Sequence, residues 1–142
     1  ALQQARGERQ PALQRACVER LLAIARDQRV TVGKWMVFLP QQVVDAAWAD
    51  IAHATATGEL GCSAKVAPID VTTKSALCCV YVRDFDHRAE LKRVLLKLQE
   101  LMAKHGVKVT AGFKPDVYTH LGVYYKADSK WGLSPTLYSV KE

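Results

Sequence analysis

The chain has 142 residues, 49% of them hydrophobic, a net charge of +6 and a pI near 9.3. That length suits one domain with its own core, no apolar run approaches the ~18 residues that would cross a bilayer, and the Gln- and Arg-rich start has no apolar signal core. The positive balance permits phosphate-bearing or acidic partners without requiring them.

Residues 11 to 28 have helical spacing, with Leu13, Cys17, Leu21 and Ile24 as the stripe and Leu22 and Ala25 widening it. Pro11 fits its first turn. Arg15, Arg20, Arg26 and Arg29 take the remaining surface, either as a solubilising face or as a basic arm for RNA or an acidic partner. Val32 to Leu39 reads as a strand, apolar on both faces apart from Lys34 and so inside a sheet. A helix over about 42 to 57 follows, striped by Val44, Ala47, Trp48, Ile51 and Thr55 and stopped by Gly58. Leu60 to Val66 is a second strand, Pro68 to Ser75 a loop, and Ala76 to Arg83 a third strand.

Asp84 or Asp86 caps the next helix in this reading, with Glu90 in its first turn. Leu91, Val94, Leu95, Leu98, Leu101 and Met102 make its stripe, and Gly106 ends it. Val107 to Lys114 returns as a strand, with short strands near Leu121–Tyr125 and Thr136–Val140 and a turn around Ala127–Lys130. There is no internal repeat and no linker, so residues 1–142 form a single domain: an N-terminal helical segment (1–31) and a sheet-and-helix core (32–142). The hairpin-like step between the second and third strands argues against a doubly wound parallel sheet. The expected class is α+β, a curved, mainly antiparallel sheet with about three helices on one face. The other face is left free for function.

Cys17, Cys62, Cys78 and Cys79 show no metal-ligand spacing and no disulfide framework. Reduced and mostly buried thiols are expected, with Cys78 and Cys79 facing opposite ways on their strand. They point to the cytoplasm or nucleus and away from secretion. His53, His87, His105 and His120 are not at ligand spacing either. No metal or cofactor is expected.

An ordered series of short motifs runs through the chain: Gly33-Lys-Trp-Met, Trp48, Gly58-Glu-Leu-Gly, Ala64-Lys-Val-Ala-Pro, Val80-Tyr, Asp84-Phe, Lys114-Pro-Asp-Val-Tyr-Thr, Leu121-Gly and Trp131-Gly-Leu. Over roughly residues 33 to 138 it resembles the family of the basophilic leukaemia-expressed protein. That family is similar in fold to the cap-binding translation initiation factor 4E, which implies a curved sheet with helices on its convex side. In that factor two tryptophans sandwich a methylated guanine and a glutamate reads its edge. Trp35, Trp48 and Trp131 do not reproduce the pattern, because Trp48 lies on an apolar helical stripe and no Trp is followed by a suitably placed Glu. Cap binding is not implied, and shared fold is a weak warrant for function.

The candidate ligand-binding residues are Lys34, Lys65, Arg83, Lys114, Asp116, Tyr118 and Trp131. A strand cation among apolar neighbours must reach an open face or a partner, because a desolvated unpaired charge is costly. If the four cations converge on one concave face they hold a phosphate or carboxylate. If each meets a local acid (Asp84, Asp86 or Asp116) or snorkels to water, they do not. The rings of Tyr118, Tyr124, Tyr125 and Trp131, interleaved with Lys114, Lys126 and Lys130, offer either a stacking platform for bases or filling for the core edge. Asp116, after Pro115, either sets a turn or reads a ligand.

The leading expectation is a binding domain, without catalytic residues, for RNA, a nucleotide or another phosphate-bearing ligand on the concave face. A protein-interaction module using the convex helical face, especially the Arg-rich N-terminal helix, is the alternative. A small enzyme built on Lys114, Asp116 and His120 and acting on a phosphorylated substrate is a third reading, and no Gly-rich phosphate loop or nucleophile elbow supports it.

Overall fold

The computed structural model describes the backbone of residues 2–124 and 133–140, and side chains within these from residue 12 onward. The element order is α1 (Leu2–Asp27), β1 (Gly33–Pro40), α2 (Val44–Ala56), β2 (Ser63–Val66), β3 (Ser75–Val82), α3 (Arg88–Ala103), β4 (Phe113–Pro115) and α4 (Asp116–His120). The four strands form one antiparallel sheet in the order β2-β3-β1-β4. The α+β class holds, with four helices among the described residues where about three were expected, because the Asp116–His120 part of the tail motif winds into the short α4.

β1 is central, as its two apolar faces require. Trp35, Val37 and Leu39 share one face with their β3 neighbours Val80, Cys78 and Ala76, all buried against α2 and α3. The indole N–H of Trp35 donates to the carbonyl of Leu91 at 3.0 Å, and its ring meets Phe113 edge-on at 5.3 Å. Gly33 permits that packing: a Cβ there would lie 2.4 Å from the Phe113 ring. α2 buries Val44, Ala47, Ile51 and Ala54, and α3 buries Leu91, Val94, Leu98, Leu101 and Met102. Gly58 and Gly106, at φ +77° and +67°, end them in the left-handed region.

Several expectations are corrected. On α1 the buried residues are Leu22 and Ala25, with Val18 and Leu21 partly covered, whereas Leu13 (68% exposed), Cys17 and Ile24 (55% exposed) face outward. Among the described residues the covered side of the helix is the one that meets Phe85, Asp86, Tyr118 and the C-terminal segment, and the richer stripe is left outside. Neither Asp84 nor Asp86 caps α3: Asp84 accepts the backbone N–H of Asp86 at 2.9 Å, and Asp86 takes a bidentate bond from Arg26 at 2.5 and 2.8 Å. Val107 and Val109 are buried without joining the sheet, so β4 has three residues. The strands expected near Leu121 and Thr136 are absent from the described residues, apart from a single bridge between Phe113 and Tyr138. The Ala127–Lys130 turn lies outside the described residues. Two thiols are buried and two exposed, and all four are free.

Candidate anion-binding site

The antiparallel register decides which side chains meet. Lys34 stands opposite Tyr81 on β3 and Lys114 on β4, while Cys79 stands opposite Met36 on β1 and Lys65 on β2. Strand side chains alternate, so these six residues all lie on the face turned away from α2 and α3. Phe38, two residues beyond Met36, is exposed on the same face. Three of the four strand cations expected to share a face therefore do so.

Their environments differ. Lys34 is 8% exposed, and its ammonium donates to Asp116 Oδ1 at 2.7 Å and to Thr119 Oγ1 at 2.9 Å. The Tyr81 ring lies 5.7 Å from the same nitrogen. α4 creates this pairing: Pro115 ends the strand, the helix starts at Asp116, and positions 116 and 119 fall on one side of it. Lys114 is 5% exposed, with its Nζ 4.1 Å from the centre of the Tyr124 ring. Among the described residues no carboxylate pairs with it. Burial, and then the charge of Lys34, lower its pKa from the ordinary lysine value of 10.5. Lys65 is exposed on the edge strand β2, where its bond to Tyr81 raises its pKa.

Cys79 lies among the three. Burial pushes its thiol up, and Lys34, Lys65 and Lys114 each pull it back. Directly opposed like charges destabilise a β ladder, and a buried ammonium is costly without an anion. Asp116 meets that cost for Lys34. A ring contact, worth about 1–2 kcal/mol when desolvated, is the partner of Lys114. The face thus holds an excess of positive charge with aromatic walls on two sides, which suits a bound anion.

The remaining candidates fall elsewhere. Arg83 follows the last residue of β3 and lines a separate pocket with Asp84, His87, Glu90 and Arg93. It does not join the lysines, because the strand ends before it. Tyr118, 1% exposed, points away from Lys34 into the space between α1 and the C-terminal segment, so it is a core residue and not a platform. Trp131, Tyr125, Lys126 and Lys130 lie outside the described residues. Asp116 serves as the partner of Lys34, and its carboxylate makes no cap bond to the backbone. His120 is exposed at the end of α4, and among the described residues no hydrogen bond joins it to Lys114 or Asp116.

Tyr81, Cys79 and Thr119 were missed as members of the site. For Tyr81 and Cys79 the signal was the alternation of β3, readable only once its register with β1 is known; for Thr119 it was the three-residue spacing from Asp116, readable only once that segment is known to be helical. Among the described residues, no group of His, Cys, Asp and Glu is placed to hold a metal ion, and no helix is long and apolar enough to cross a membrane.

Residues 3–122 match the family described as basophilic leukemia-expressed protein Bles03. The matched span takes in nearly all of α1, which the short motifs did not reach, together with Lys34, Lys65, Lys114 and α4. The chain belongs to the Bles03 family.

Proposed function

We propose that this protein binds a phosphate-bearing ligand, a nucleotide or a short single-stranded RNA segment, on the open face of its sheet. The observation that carries the reading is Lys114, a buried ammonium with an aromatic ring and, among the described residues, no carboxylate partner, opposite a second buried lysine. A phosphate against Lys114 and Lys65 would offset the charge that burial leaves uncompensated, and Tyr124 and Tyr81 offer rings for a base. The likeness to initiation factor 4E belongs to this proposal, since an antiparallel sheet with helices on one face is what it requires. A cytoplasmic or nuclear setting belongs to it as well.

Titration with ATP, AMP and a short RNA oligonucleotide at several salt concentrations tests it. Binding should weaken with salt, and Lys114→Met and Lys65→Ala should each lower affinity and flatten the salt slope by about one ion. Affinity that both variants leave unchanged would overturn the reading.

A second reading, a protein partner docked on α1, is favoured by the outward Leu13 and Ile24. Deleting the helix cannot test it, because Leu22 and Ala25 belong to the core. The double variant Leu13→Lys, Ile24→Lys keeps that core, and a partner still retained by it would dismiss this surface.

A further inference from the structure

A groove of about 550 Å³ runs between α1 and the segment 133–138, with Tyr118 of α4 in its wall. Its volume lies within the roughly 300–1,000 Å³ of small-molecule sites. Val18, Leu22, Tyr118, Leu133, Leu137 and Tyr138 make the apolar wall. Arg15, Arg26 and Arg88 line it with Glu19 and Asp86, so three guanidiniums face two carboxylates. Arg26 is already committed to Asp86. Arg88 lies 5.4 Å over the Tyr138 ring, and among the described residues neither it nor Arg15 has a hydrogen bond to an acid.

A second observation points to a ligand. Tyr118 is 1% exposed, yet its hydroxyl has no hydrogen-bond partner among the described residues. The neighbouring hydroxyl of Tyr138, by contrast, donates to the carbonyl of Phe85 at 3.3 Å. A buried phenol without a partner loses the bonds it had in water, and most buried hydroxyls avoid this. Tyr118 lines the groove together with residues of α1 and of the C-terminal segment, and burial, then Cys17 and Tyr138, raise its pKa.

We infer that this groove is a second ligand site, taking a small organic monoanion with a flat apolar body. The body lies on the aliphatic and aromatic wall, Arg15 and Arg88 meet the charge, and the Tyr118 hydroxyl supplies a hydrogen bond. One net positive charge in the lining selects a monoanion over a polyphosphate, so the site is distinct from the open sheet face.

The probe is anilinonaphthalene sulfonate, with uncharged phenylnaphthylamine as its control, added to the full chain and followed by fluorescence. One equivalent should bind. Arg15→Gln and Arg88→Gln should each weaken the sulfonate roughly tenfold and leave the neutral probe unmoved. Val18→Phe, which fills the groove, should weaken both. Tyr118→Phe should weaken the sulfonate while leaving the free protein at least as stable, an outcome that a purely packing role would not produce. Lys114→Met and Lys65→Ala should change neither probe, so failure here is separable from failure on the sheet face. Sulfonate affinity indifferent to both arginine variants and to Val18→Phe, or fluorescence that appears only as the chain unfolds in urea, overturns the inference.

Discussion

Lys34 and Lys114 face each other directly across the β1–β4 ladder, and Asp116 neutralises the first of them. The second keeps its charge against a tyrosine ring. Among the described residues only one of these two buried ammonium groups has a carboxylate, and this asymmetry is the basis of the first two predictions.

Replacing Asp116 with Asn should separate stability from binding. The ammonium of Lys34 would lose its ion pair in a site where the two side chains are 10% and 24% exposed. The expected cost is about 2 kcal/mol, below the ~3–5 kcal/mol for breaking a fully buried pair. The face would also become more positive, so nucleotide affinity should rise while the urea midpoint falls. A variant that loses both shows Asp116 to be part of the ligand contact.

Lys114→Met should be at least as stable as the parent at neutral pH, because it removes a poorly compensated buried charge. The alkaline range tests this further. Burial lowers the folded pKa of Lys114 from 10.5, so the folded ammonium releases its proton before the unfolded one. Between those two values the unfolded chain holds more protons, and the lysine's contribution to stability increases with pH. Cys78, pushed up to about 12, and Cys79 act in the opposite sense: their unfolded thiols ionise first near 9.0, so stability falls as pH climbs past that value. The raised value of Lys65 also lowers stability as pH rises through it, weakly because the group is exposed. Comparing parent with Lys114→Met cancels the groups that Lys114 does not influence, and the Cys79 thiol, no longer pulled down in the variant, narrows the gap in the same direction above 9.0. Urea midpoints should favour the variant near neutrality and converge as pH approaches 10.5; a constant gap would contradict the buried charge.

Apolar burial, not its ion pair, holds α1. Arg26 and Asp86 are nearly half exposed, and such pairs contribute ~0–1 kcal/mol. Leu22 sits in the core. Leu22→Ala should cost about 2–4 kcal/mol, and Asp86→Asn under ~1 kcal/mol, with that small effect vanishing in high salt. Denaturant curves of the two variants decide between the two contributions.

Gly33→Ala should disturb the site from behind the sheet. The added Cβ would meet the Phe113 ring at 2.4 Å and the carbonyl of Lys114 at 3.0 Å. Neither can move without shifting β4, so a loss of about 1–3 kcal/mol is expected, together with weaker nucleotide binding. Stability unchanged in this variant would mean that β4 yields freely.

The periodicities of α2 and α3, the central position of β1, the glycine stops and the α+β class could all be read in the chain, because each rests on spacing within one segment. The α3 stripe from Leu91 to Met102 is the clearest case: five of its six members are buried. Which side of α1 is buried could not be read there, since Leu13, Cys17, Leu21 and Ile24 make the main stripe and Leu22 and Ala25 only widen it, whereas in the fold Leu22 and Ala25 are the buried ones. Val107–Lys114 has strand composition throughout, yet only Phe113 and Lys114 of it join the sheet, because pairing requires a partner edge. Composition marked Lys34, Lys65 and Lys114 as cations in apolar strands. Their gathering on one face, the assignment of Asp116 to Lys34 alone and the exclusion of Arg83 and Tyr118 depend on strand register and on the winding of α4. These are long-range relationships, and no local pattern encodes them.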